Sequence, residues 1–160
     1  MRAFWLIAFC SAVAVHAYAG IPRVTRLATA DRAALEHPAS IKLSYSVRAI
    51  PASVRSACAT VISDHKFALA DPGKPYNESC GTDDRIPDRR LIWAARLPEH
   101  YVVHYESGGI AHSFHIMVVS FPSSRPRVVW RAAADEYKDY STFVGALKRN
   151  QLFDYYDSKF

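Results

Sequence analysis

The chain has 160 residues, about one domain's worth, with a formal net charge of +5 and three cysteines. Its basic residues are scattered and form no aromatic-interleaved stripe, which argues against nucleic-acid binding. No CxxC pair is present, which disfavours a redox enzyme.

Residues 1–19 read as an export leader. Arg2 gives a short positive start, Phe4 to Val15 an apolar run, and Ala17-Tyr18-Ala19 a small-x-small cleavage site before Gly20. The run is shorter than the roughly 20 residues a membrane span needs. Phe9 stands where a lipidated Cys10 would require a small residue. The expectation is one periplasmic or secreted domain over 20–160, with no transmembrane segment. Losing Arg2 takes the net charge from +5 to +4. Two cysteines remain, and export predicts a Cys58–Cys80 disulfide, worth roughly 3 kcal/mol by constraining the unfolded chain.

In chain order, Thr29 could cap a short helix over Ala30–Glu36, which Pro38 stops. Ile41, Leu43, Tyr45 and Val47 alternate with Lys42, Ser44, Ser46 and Arg48, predicting a half-buried edge strand over 41–48. A helix follows over 53–64, with Val54, Cys58, Val61 and Ile62 on one stripe. Phe67–Ala70 is a short apolar run closed by Asp71-Pro72-Gly73. Residues 72–88 form a long Pro-, Gly- and Asp-rich loop, and a loop of that length needs something to hold it. Cys80 is the expected staple. Asn77-Glu78-Ser79 matches the glycosylation acceptor pattern, relevant only in a eukaryotic secretory host.

Residues 89–133 read as an antiparallel four-stranded meander. Gly108-Gly109 suits a two-residue hairpin loop, placing Ser107 opposite Ile110 and His104 opposite Ser113. The preceding connection is open between two residues, Pro98-Glu99, and three. Three residues bring Leu97, Ala95 and Trp93 opposite Tyr101, Val103 and Tyr105, so the hydrophobic pattern favours that choice. A five-residue connection over 122–126 sets Val128, Trp130 and Ala132 on the same inner face as Ile116 and Val118. A final helix over 141–152 turns Phe143, Val144 and Leu147 inward. The fold class is therefore α+β, a meander packed with one or two helices plus an edge strand. This layout resembles cystatin-like and NTF2-like designs in arrangement only.

Several side chains suggest chemistry. In this register His104, His115 and Glu106 share the outer face and could approach a metal, although partly exposed strand histidines are the commoner arrangement. Ser113 opposite His104 suggests a nucleophile and base, but no G-x-S-x-G elbow accompanies it. Asp83, Asp84 and Asp88 could meet calcium, though an EF-hand pattern is absent. No metal or cofactor is expected. The outer face sets Arg96, His104, Glu106, His115 and Arg131 into apolar ground, a mixture typical of protein interfaces. The leading expectation is a non-catalytic exported protein that binds a protein partner through these residues. Alternatives are a ligand-binding or enzymatic pocket using Tyr45, Tyr105 and His112, or a structural envelope component.

Overall fold

The computed structural model describes residues 27–62, 66–78, 83–109, 111–121 and 125–154. The segment read as an export leader, Cys80 and the last six residues lie outside them. The fold is α+β, an open antiparallel sheet of six strands packed against three helices. The strands are β1 (Lys42–Ser44), β2 (Arg89–Arg96), β3 (His100–Ser107), β4 (Ser113–Ser120), β5 (Arg127–Ala134) and β6 (Phe153–Asp154), lying side by side in chain order. The helices are α1 (Thr29–Glu36), α2 (Ala52–Val61) and α3 (Tyr140–Lys148).

Local chemistry accounts for several boundaries. The carboxylate of Asp139 accepts from the Thr142 backbone N–H at 2.8 Å and from the Ser141 hydroxyl at 2.7 Å, an N-cap that starts α3 one residue before the predicted Ser141. By contrast, Thr29 lies within α1 and caps nothing; Ala28 takes the N-cap position. β1 is shorter than the predicted 41–48 strand. The Ser44 hydroxyl accepts from Ser46 N–H at 3.2 Å, and one turn of 3-10 helix follows at Val47–Ala49. The Phe67–Ala70 run forms no strand, only a parallel bridge from Ala70 to Arg90.

The central register differs from the expected one at β3. Arg96 pairs with Tyr101 and Leu97 N–H donates to His100 carbonyl, so Pro98-Glu99 is a two-residue turn. On its other side, Ser107 pairs with Ser113 and His104 with Ile116, which places five residues rather than two in the β3–β4 connection. Both corrections shift the pairing by an odd number, so β3 exchanges its faces, and irregularities beside Trp93 and Trp130 carry Leu91 and Val128 to the α2 side as well. The β4–β5 register holds at Val118–Trp130 and Ile116–Ala132. An irregularity beyond Trp130 then pairs Val119 with Val128 and Ser120 with Arg127.

The exchange was possible because both sides of the sheet are buried. On one side Trp93, Ala95, Val102, Ile116, Val118, Trp130 and Ala132 pack with Leu35 of α1 and Phe143, Ala146 and Leu147 of α3. On the other, Leu91, Ala94, Tyr101, Val103, Tyr105, Met117 and Val119 pack with Val54, Cys58 and Ala59 of α2. Period-2 patterning fixes register only where one face is wet. Here β3 is apolar or buried on both faces, from His100 through Glu106.

Cys58 is a free, fully buried thiol in the α2 cluster, and no Cys58–Cys80 bridge is present. Its apolar surroundings push its pKa up to about 12. The described parts of the 72–88 loop are held instead by Asn77, which is 7 % exposed. Its amide nitrogen reaches Asp88 Oδ1 at 2.7 Å and the carbonyls of Asp83 and Ile86 at 3.2 Å, while its oxygen accepts from Asp83 N–H at 3.1 Å. A glycan on Asn77 would have to displace these bonds.

Candidate functional site

The corrected register brings Glu106 to the inner end of a polar cluster where the β3–β4 hairpin meets the 72–88 loop. Its carboxylate accepts from Arg90 Nε at 2.6 Å, from the Tyr76 hydroxyl at 3.0 Å and from His112 Nε2 at 2.6 Å. Arg90 lies directly across from Glu106 in the β2–β3 ladder. Tyr76 comes from the loop, and its ring carries the Arg90 guanidinium at 4.4 Å, a stacked cation–π contact. His112 arrives from the hairpin connection and meets the edge of Phe114 at 4.8 Å.

Electrostatics favour an ionised Glu106. Burial alone would push its pKa up, but the bonds from Arg90, His112 and Tyr76 outweigh it and hold the carboxyl below its usual range. Tyr76 shifts the opposite way, up to about 12, through burial and then its bond to the carboxylate. The phenol therefore stays a donor at neutral pH. Beyond Glu106, an open cleft of about 540 Å³ is lined by Gly73, Lys74, Pro75, Tyr76, Asn77, Glu78 and Arg90. Glu78 approaches Arg90 Nη1 at 3.6 Å from the solvent side.

Gly108 decides whether this junction can form. A Cβ there would lie 1.8 Å from the Asn77 carbonyl oxygen and 2.7 Å from Glu78 Cα. The hairpin backbone thus touches the loop backbone, and Gly108 N–H donates to the Asp88 carbonyl at 3.1 Å. Of the Gly108-Gly109 pair, Gly109 is the one with positive φ, at +115°.

The expected outer face does not exist as one surface, because the odd shifts at β3 separate its members. Glu106 belongs to the cluster above, and Arg96 is exposed near the far end of β2. Arg131 shares the α2 face and donates to the Val61 carbonyl at 3.1 Å, closing the C-terminal end of that helix. His104 is fully buried on the opposite face. Its Nδ1 contacts the His115 carbonyl at 2.9 Å, and its Nε2 accepts from Tyr137 N–H at 3.1 Å. A carbonyl only accepts and an N–H only donates, so the ring is the neutral Nδ1–H tautomer. Burial depresses its pKa to about 4. This histidine is a structural tie between β3, β4 and the segment before α3.

Ser113 lies near His115 rather than opposite His104. His115 Nε2 contacts Ser107 Oγ at 2.8 Å and Ser113 Oγ at 2.9 Å, and its ring stacks on Tyr105 at 4.9 Å. Burial, followed by the nearby Arg89, depresses its pKa to about 4, a poor match for a general base at neutral pH. The alternative trio of Tyr45, Tyr105 and His112 does not converge. Tyr45 is exposed beyond β1, Tyr105 is buried against Phe67, and His112 is outside the cleft lining. Asp83 pairs with Arg85 and Asp88 with Asn77, so both take bonds within the loop. Among the described residues no three His, Cys, Asp or Glu side chains gather closely enough to hold a metal ion. Nor is any helix among them long and apolar enough to cross a membrane.

Sequence reasoning named Glu106 and His112 but in different groups, and missed Tyr76, Arg90 and Lys74. The available signal was the 72–88 loop itself, whose length asked for an anchor. No protein-family model, curated protein or solved structure matches the chain.

Proposed function

We propose that the protein is a small exported binding protein without catalytic activity, such as an inhibitor, immunity factor or accessory envelope module. Its partner would be a protein of the cell envelope or the extracellular space. The docking surface is the junction of the β3–β4 hairpin with the 72–88 loop, in place of the sheet face the sequence suggested. One observation carries this reading: buried Glu106 holds Tyr76, Arg90 and His112 in a single arrangement before anything binds. Arg and Tyr are the side chains most often responsible for interface energy, and holding them in advance reduces the entropy lost on association. Lys74 and Arg90 at the cleft, with the chain's net positive charge, suit an acidic partner.

The test compares partners captured from the native envelope by the wild-type protein with those captured by Lys74→Glu and His112→Ala. Affinity for the captured partner is then measured by calorimetry. Each substitution alters an exposed side chain, so folding is retained, and affinity should fall by about tenfold. Unchanged affinity in both variants would refute the proposal. The cleft also supports a second reading, a small-ligand pocket. A small organic anion that raises the melting temperature of the wild type but not of Lys74→Glu would favour it.

A further inference from the structure

Resting on the docking reading of the hairpin–loop junction, we propose that the Arg90 guanidinium receives an Asp or Glu carboxylate from an acidic segment of the partner protein. Glu78 holds that place in the free protein and is displaced on binding. Arg90 presents its N–H donors in one plane, and Nε is bonded to Glu106 Oε1 at 2.6 Å. Among the described residues no acceptor hydrogen-bonds Nη1 or Nη2. Glu78 Oε1 stands 3.6 Å from Nη1, past hydrogen-bond length. Its side chain is 67 % exposed against 26 % for Arg90, so a loosely engaged carboxylate opposes a fixed cation.

The guanidinium is prepared for such a ligand before one arrives. Glu106 fixes its inner edge, and the Tyr76 ring covers one face at 4.4 Å. The open approach is end-on across Nη1 and Nη2, where arginine takes a carboxylate through two parallel hydrogen bonds. Charge selects a monoanion. Arg90 and Lys74 are the cations lining the cleft, Glu78 is its anion, and Glu106 lies behind Arg90. A carboxylate that replaces Glu78 preserves this balance, whereas a phosphate dianion adds a second negative charge beside Glu106. Lys74 is exposed and draws the remaining charge of an acidic segment, which an isolated chain terminus lacks. Displacing Glu78 breaks only an exposed ion pair, which is worth little in water.

The probe is an N-acetylated, C-amidated tetraglutamate, titrated into the protein by calorimetry. Tetraglutamine, a tetraalanine with a free C-terminus and inorganic phosphate are titrated beside it. Tetraglutamate should bind about tenfold tighter than each of these. Glu78→Gln alters an exposed side chain and should tighten tetraglutamate binding by about two- to fivefold, the value of a released surface ion pair. Arg90→Lys keeps the charge, loses the planar fork and should weaken binding by about tenfold. In the wild type, tetraglutamate should shift the Arg90 side-chain N–H resonances in NMR, a readout that depends on no variant folding. Failure of tetraglutamate to bind at millimolar concentration overturns the assignment. So does equal binding of tetraglutamine, the free terminus or phosphate, or an affinity unchanged by Glu78→Gln. A captured envelope partner whose affinity falls in Lys74→Glu, with the Arg90 resonances unmoved by tetraglutamate, overturns the carboxylate assignment and leaves the docking reading standing. Lost carboxylate preference, with partner affinity unchanged in both Lys74→Glu and His112→Ala, overturns both.

Discussion

Acidification should loosen this protein well above the pH at which carboxylates protonate, and His104 is the reason. In the unfolded chain its imidazole titrates near the ordinary 6.5, whereas burial depresses it to about 4 in the fold. Between those values the unfolded state binds a proton that the native state refuses. The stability conferred by the neutral ring is complete above 6.5 and falls as pH drops from 6.5 toward 4. The slope is about 1.4 kcal/mol per pH unit for each such group, so His104 accounts for roughly 3 kcal/mol across the window. His115, shifted in the same direction, adds to the slope. Urea denaturation from pH 7 to 4.5 gives the unfolding free energy at each point. His104→Gln keeps one donor and one acceptor but cannot be protonated in this range. It should be less stable at pH 7 by about 2 kcal/mol, having lost a ring 5.2 Å from Trp93 and 5.7 Å from Tyr137. Its pH dependence should be shallower by close to one proton. Wild-type and His104→Gln curves that run parallel would refute the reasoning, because the proton would then belong elsewhere.

Two further outcomes follow from the loop and the thiol. Gly108→Ala drives a methyl group into the Asn77–Glu78 backbone and should cost about 1–3 kcal/mol. Limited proteolysis should then cut within 72–88 faster than in the wild type, and equal rates would mean the loop is held independently of the hairpin. Cys58 should resist a thiol reagent until the protein unfolds, since it is fully buried and its pKa is about 12. Rapid labelling of Cys58 in the native protein would contradict its placement.

The candidate site illustrates how far a single sequence reaches. Alternation about a tight Gly108-Gly109 hairpin would put Glu106 and His112 on opposite faces of the sheet. The actual connection is longer, since Gly108 is needed for close approach to Asn77 rather than for a turn angle. Arg90 became legible as the partner of Glu106 only through the two-residue turn at Pro98-Glu99 together with the bulge between Leu91 and Trp93. His104 looked like an outward ligand candidate from alternation, and turned inward when β3 exchanged faces.

Composition and periodicity by themselves determined the α+β class, the four meander strands nearly to their ends, and two helices, expected over 53–64 and 141–152 and found at Ala52–Val61 and Tyr140–Lys148. They also identified the common inner face of Trp93, Ile116, Val118, Trp130 and Ala132. These follow from local patterns that tertiary contacts had no cause to overrule. Only the tertiary structure decided which way β3 faces, what anchors the 72–88 loop, and hence which polar groups meet. The physical reason is that α1 and α3 bury one side of the sheet and α2 the other. With no wet face, alternation lost its power to fix register, and loop chemistry at Pro98-Glu99 and Gly108 fixed it instead.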